Sequence, residues 1–265
     1  MITSIRAGER DVAKVAVGPL RIEEASLNAL QTQRQLFFDG WLVRLSPGSA
    51  KRARSVNPHF GSSLPIDAKI DRCEAIYAAH GLPALYRITP FCKPPELDEA
   101  LERRGYVAFD QTFVQVARVA SSAVPPIDGV ELASAPVADF VDAVGALRGS
   151  TAAQCAAHFE RLSNTPLAMH AVVARFDGRV VGCGQVALDD GLAAIYDMVT
   201  ATDFRGRGLA TAIVAALSSR AAQAGASHAF LQVNDDNAPA LAVYRKYGFA
   251  TLYAYYYRAR PSECF

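Results

Sequence analysis

Arginine and glycine alternate at Arg205-Gly206-Arg207-Gly208. An apolar run over residues 192–199 and a short polar turn precede this stretch. A long apolar segment, roughly 209–224, follows and opens with Leu209, Ala210 and Thr211. Glycines set just before a helix let backbone N–H groups approach an anion closely. The helix start adds unpaired N–H groups and the positive end of the dipole, and two arginines add fork-shaped charged donors. The chemistry this suits is the holding of a pyrophosphate. No Gly-Lys-Ser/Thr follows, so this is not a Walker loop placed to hold Mg²⁺, and the G-x-G-x-x-G order of a dinucleotide fold is missing. Taken alone, the stretch also fits a plain loop with solvated arginines.

A second stretch narrows the choice. Residues 230–234 alternate as a strand does, Asp235-Asp236 is a turn, and a short helix follows. Asn237 is its natural N-cap, Pro239 sits in its first turn, and Gly248 ends it. R-x-x-G-x-A, from Arg205 through Gly208 to Ala210, followed by N-x-x-A-x-x-x-Y-x-x-x-G-F, from Asn237 to Phe249, resembles the two signatures of the GNAT superfamily of N-acetyltransferases. The resemblance covers about 128–258. It implies an α/β (α+β) fold: a mixed, mainly antiparallel central sheet flanked by helices. It also implies acetyl-CoA as acyl donor, with no metal. Residues Arg205, Gly206, Arg207, Gly208, Leu209, Ala210 and Thr211 would wrap the pyrophosphate. Met198 and Val199 would meet the pantetheine where their strand splays from the one ending near Val233. The Val199 amide would bind the thioester oxygen. Asn237 would meet the pantetheine arm or the loop.

By the same resemblance Tyr244 occupies the position of the general acid, and a phenol can pass its proton to a departing thiolate. Tyr247 and the cluster Tyr253, Tyr255, Tyr256 and Tyr257 are rivals, although alternation buries part of that cluster. The base is open. A branch that acetylates ribosomal-protein amino termini has glutamate where this chain has Gln232, and glutamine takes no proton at neutral pH. That departure argues against that branch. Asp197 is the nearest alternative carboxylate, acting through water. An ordinary solvated or capped aspartate is the equal reading. His158, His170 and His228 have no partner nearby in sequence and read as structural. Cys183, between two glycines in a strand, reads as a buried thiol.

Composition sets the class. The chain has 265 residues, 51% hydrophobic and 20% charged, with a net charge of +1. That describes a soluble chain with ample core and no bulk field toward nucleic acid or membrane. Residues 1–9 lack the apolar run of a leader. No segment offers the ~18 uninterrupted apolar residues of a membrane span. The five cysteines are scattered and odd in number, which suits reduced thiols and a cytoplasmic location. The expected function is acetyl-CoA-dependent N-acetyl transfer to a primary amine of a small molecule or peptide, by a monomer or homodimer. The alternative is a non-catalytic acyl-CoA-binding sensor or scaffold.

The elements that must position these residues follow from periodicity. Helices are expected at 21–35, 65–81, 96–104, 138–147, 152–162 and 237–247. A turn and strand are expected at 37–45, strands at 84–88, 106–119 and 130–132, and a hairpin at 171–188. Residues 50–58, with Lys51, Arg52 and Arg54, read as a solvated edge strand; an anionic-substrate or RNA patch needs more charge than this. Residues 120–126 read as a linker, dividing the chain into 1–124 and 125–265. Helix–Gly–aromatic endings recur at Leu101–Tyr106 and Tyr244–Phe249, with Leu101 where the later copy has Tyr244. The first half therefore reads as a degenerate GNAT-like module in tandem with the second, without a CoA site of its own.

Overall fold

The computed structural model describes residues 17–48 and 50–264. The reading of residues 1–9, and Ser49 in the expected 46–49 loop, lie outside the described residues. The first half contains α1 (Pro19–Ala29), β1 (Gln35–Phe38), β2 (Trp41–Arg44), β3 (Val56–Asn57), α2 (Ile66–Ala79), β4 (Tyr86–Ile88), α3 (Leu97–Arg103) and β5 (Val107–Arg118). The second contains β6 (Val130–Ala135), α4 (Val137–Arg148), α5 (Ala152–Ser163), β7 (Ala168–Phe176), β8 (Arg179–Asp189), β9 (Leu192–Thr200), α6 (Leu209–Gln223), β10 (His228–Asn234), α7 (Ala238–Lys246) and β11 (Ala250–Ala259).

One mainly antiparallel sheet of eleven strands carries all of this, in the order β1-β2-β3-β4-β11-β5-β10-β9-β8-β7-β6. The same order of elements occurs twice. In the first half β1, β2 and β3 pair antiparallel in series, α2 crosses over, and β4 lies parallel to β3. In the second, β7, β8 and β9 do the same, α6 crosses over, and β10 lies parallel to β9. Each half then ends in a short helix and a long strand. Those last strands are exchanged: β5 pairs with β10, and β11 pairs with β4 and β5. Neither half completes its sheet without the other.

Layering follows from which side chains are apolar. Leu209, Ile213, Leu217 and Ala221 of α6 pack on one face of the second half's sheet. Gly182 and Gly184 of β8 permit that approach, since a Cβ at Gly184 would lie 2.8 Å from Ile213 Cγ2 and 2.5 Å from Met198 Sδ. Helices α4 and α5 cover the opposite face, against Val173 and Cys183. Helix α1 lies on that same side, over Tyr196, Phe230 and the tyrosines of β11.

Two expectations need correction. The helix expected at 21–35 ends at Ala29, and residues 35–38 form an edge strand instead. The Asp39-Gly40 turn makes the hairpin, and the polar Gln31–Arg34 stretch holds no Gly or Pro to mark the helix end. Residues 50–58 are not a solvated edge. Residues Lys51–Ala53 form a short 3₁₀ turn, and Val56–Asn57 is a buried interior strand between β2 and β4.

Candidate active site at the parting of two strands

The glycines of the arginine-rich loop adopt the backbone their positions require. Gly206 has φ +76° and Gly208 φ +82°, both left-handed, where a side chain would be strained. Gly208 is the N-cap of α6. No side chain caps that end and no acidic residue occupies its first turn, so its leading N–H groups are free for an external anion. The Arg207 guanidinium lies 4.7 Å from the Phe204 ring centroid, and Arg179 pairs with Asp203 beside it. The loop thus brings Arg205 to Thr211 together at one helix start.

Strands β9 and β10 run parallel only from Leu192↔His228 to Ile195↔Leu231. Beyond that rung both continue but no longer pair. β9 stays attached to β8 as far as Thr200, and β10 stays attached to β5 as far as Asn234. The opening is therefore held from both sides. Its cause is local: Asp197 has φ +49°, and Asp197 and Met198 together oppose Gly184. That is a β-bulge, which sharpens the bend and twist of its strand.

The bulge also decides which amides face the gap. The Ala201 amide donates to the Val181 carbonyl at 2.8 Å. By alternation the Val199 amide points the same way, toward β8, while Met198 and Thr200 present theirs to the opening. The expectation for the Val199 amide is thus displaced by one residue on either side. Asn237, beyond the far end of β10, accepts a hydrogen bond from the Ala240 amide at 3.2 Å and caps α7.

Two tyrosines on or beside α7 differ in what they do. The Tyr247 hydroxyl donates to the Thr211 carbonyl at 2.7 Å and ties α7 to the first turn of α6. Tyr244 is buried against Phe249, its ring centroid 5.9 Å away. Its hydroxyl has no hydrogen-bond partner among the described residues, and burial alone pushes its pKa up to about 12. It is a phenol that keeps its proton across the ordinary range. Tyr253, Tyr255 and Tyr257 are buried in the core under α1.

Asp197 is not a solvated carboxylate. Arg148 Nη1 lies 2.8 Å from Oδ1; His158 Nε2 and Arg161 Nη2 lie 3.2 and 3.9 Å from Oδ2. Gln185 Nε2 donates to Oδ2 at 2.6 Å. Burial opposes its charge, but the close approach of His158 and the two guanidinium groups outweighs it and holds the carboxyl far below the usual range. A carboxylate so stabilised is a weak proton acceptor. Gln232 is likewise engaged: its amide donates to Ser26 Oγ of α1, and its carbonyl accepts from the Tyr255 hydroxyl at 2.7 Å.

His158, which has no partner near it in sequence, finds Asp197 in space. It shares α5 with Arg161, at a spacing of three that puts both on one helix face. That spacing was the available signal for the Arg148–His158–Arg161 ring, which sequence reasoning missed. A pocket beside this ring is closed on its other side by Ser46, Gly48 and Ala50 of the first half. Ala50 also borders a second cleft, of about 230 Å³, with Arg52, Gln232 and Tyr255. Cys183 is buried, and burial pushes its thiol up to about 12. Among the described residues no His, Cys, Asp and Glu side chains are grouped to hold a metal ion. No described helix is long and apolar enough to cross a membrane.

Residues 145–249 match the profile of the acetyltransferase (GNAT) family. That match lies within the C-terminal half and takes in both the arginine–glycine loop and the Asn237–Phe249 stretch. A curated relative, an uncharacterised N-acetyltransferase YobR of Bacillus subtilis (strain 168), is 26% identical over 244 residues, covering 91% of this chain and 98% of its own. The likeness of fold reaches across both halves. A solved GCN5-related N-acetyltransferase of Kribbella flavida superimposes with a TM-score of 0.69 at 20% identity, over 93% of this chain and 97% of its own. A tandem GNAT protein from the clavulanic acid biosynthesis pathway superimposes with a TM-score of 0.58 at 17% identity, over 72% and 68% of the two chains. The GNAT fold is therefore present, and tandem GNAT proteins are among its structural neighbours.

Proposed function

We propose that the protein is an acetyl-CoA-dependent N-acetyltransferase acting on a primary amine of a small molecule or peptide, in the cytoplasm. The carrying observation is the opening between β9 and β10, with an uncapped helix start and two left-handed glycines at one end and an unpartnered phenol beside it. In this reading Arg205 to Thr211 hold the pyrophosphate. The Met198 and Thr200 amides meet the pantetheine and thioester across the gap, and Val199 packs in the wall. Asn237 fixes the start of α7, and with it Tyr244. The amine nitrogen attacks the thioester carbonyl, a C–N bond forms and the C–S bond breaks. Tyr244 gives its proton to the departing thiolate, and the surplus amine proton passes to water, from which Tyr244 is reprotonated.

Asp197 would contribute less as a base than as an anchor. Its carboxylate gathers α4 and α5 onto the bulge and fixes the Met198 amide. The sequence units 1–124 and 125–265 would act as one body, with Ser46, Gly48, Ala50 and Arg52 walling the acceptor side, since ligand sites favour such junctions. The sensor reading has no observation that favours it over catalysis.

Titration calorimetry with acetyl-CoA tests this. Wild type should bind with chelator present, and Gly208→Asp, which adds bulk and negative charge at the anion site, should not. Tight binding by Gly208→Asp, or binding by wild type that a chelator abolishes, would overturn it.

A further inference from the structure

The basic run at 51–54 has no task in the reading above. Lys51 is accounted for, because it pairs with Asp110 at 2.9 Å. Arg52 is not. Among the described residues it makes no ion pair or hydrogen bond, and its Nη1 is buried without a partner. The buried arginines Arg44, Arg87 and Arg258 contrast with it. Arg44 donates to the Leu30 and Leu27 carbonyls, each at 2.9 Å. Arg258 grips Asp98 at 2.8 and 3.0 Å, and Arg87 pairs with Glu23. A guanidinium nitrogen buried without an acceptor costs free energy. Arg54 shares that want, with its Nε buried and unpartnered, but Arg52 lines an open cleft and Arg54 does not line it.

Its place in the fold says what would relieve it. The guanidinium lies 5.2 Å from the centroid of the Tyr196 ring, which holds it in place but offers no lone pair in return. Tyr196 is the first residue of β9 past the last rung shared with β10, and Gln232 is the corresponding residue of β10. Arg52 lines the cleft that opens there, with Gln232, Asn234 and Tyr255. This is the face away from α6, so a molecule reaching the thioester from the side opposite the pyrophosphate loop passes Arg52. We propose that the acceptor amine also carries a carboxylate, and that Arg52 receives it. One planar fork suits a monoanionic carboxylate bound through two parallel N–H···O contacts. A phosphate would ask for a second cation, and Lys51 is engaged with Asp110. The proposal rests on the acetyl-transfer reading for its kinetics but not for the binding itself.

The experiment uses the full-length protein and a ladder of ω-amino carboxylates from glycine to aminohexanoate, each paired with the alkylamine of the same chain length and, at one length, with an aminoalkyl phosphate. Wild type should favour the carboxylate over its alkylamine through KM, by roughly tenfold to a hundredfold, the worth of a charge-assisted pair. In Arg52→Gln that ratio should fall to near one, and Arg52→Lys should keep part of it. A wild-type ratio near one, a ratio that survives Arg52→Gln, or a stronger preference for the phosphate would each overturn the proposal. Calorimetric titration of the same compounds into wild type without acetyl-CoA gives a second reading, independent of turnover and of how the variants fold. Carboxylates should bind and alkylamines should not; equal binding of both refutes the proposal. A protein that binds the carboxylates but not acetyl-CoA refutes the acetyl-transfer reading and leaves Arg52's role standing.

Discussion

Tyr244 and Tyr247 stand three residues apart, and removing their hydroxyls should give opposite signatures. In Tyr244→Phe the ring and its contact with Phe249 remain. The hydroxyl has no protein partner to abandon, so stability should move by no more than about 0.5 kcal/mol. Turnover should fall by roughly 10²–10⁴, the range for one general acid, or about 3–5 kcal/mol of barrier. In Tyr247→Phe the 2.7 Å hydrogen bond to Thr211 is lost. That costs about 1 kcal/mol, or a fall in Tm of roughly 2–4 °C for a protein of this size, with turnover changed severalfold at most. Release of free CoA thiol at saturating amine measures the first effect and a thermal melt the second. Near-normal turnover in Tyr244→Phe, or equal losses in both variants, would refute the assignment of the acid.

Other expectations follow from the same geometry. With its pKa pushed up to about 12, Tyr244 should not deprotonate below about pH 11, so turnover should rise as the amine loses its proton and show no alkaline fall near pH 10; a fall there would contradict the burial argument. Asp197 and Glu23 are both held below their ordinary carboxyl values by paired cations. The stability they contribute is complete above the unfolded-state values near 4 and is lost as pH falls toward the depressed folded values. Acid titration of Asp197→Asn should therefore lose part of that slope, and an unchanged titration would count against the ion-pair ring. Gly208→Ala, at φ +82°, should cost about 1–2 kcal/mol in backbone strain and weaken acetyl-CoA binding without adding charge; unchanged stability would show that the loop relaxes. Residues 125–265 expressed alone lose the seven-pair ladder between β10 and β5, so they should aggregate or fail to bind acetyl-CoA until the first half is supplied; a stable, CoA-binding fragment would remove the exchanged strands from the account.

What could be read from the sequence was whatever is local. The Arg205–Ala210 loop, the Asn237 cap and the Gly248 stop are short-range signals, and each lies where its spacing placed it. The start of the edge strand at 35–38 was hidden because the glutamine- and arginine-bearing run 31–35 suits a helix in isolation, and only the Asp39-Gly40 turn and pairing with β2 override it. Residues 50–58 looked solvated because their charges were visible and their burying partners, Tyr196 and the tyrosines of β11, lie far along the chain. The ring around Asp197 joins α4, α5, β8 and β9; the spacing of His158 and Arg161 marks one face of α5, but nothing within that helix names Asp197 as the partner. The exchange of β5 and β11 is a choice of partner between two similar strands, which alternation cannot encode.

The central claim is that the opening between β9 and β10 delivers an acetyl group to an amine. The direct measurement is a reaction with acetyl-CoA labelled in its acetyl group and a panel of primary amines, following the labelled amide and the freed thiol together. The account predicts one N-acetylated product per thiol released, formed by the wild type and slowed at least a hundredfold in Tyr244→Phe. Tight acetyl-CoA binding with no labelled amide from any amine, or thiol release that does not depend on an amine, would contradict it.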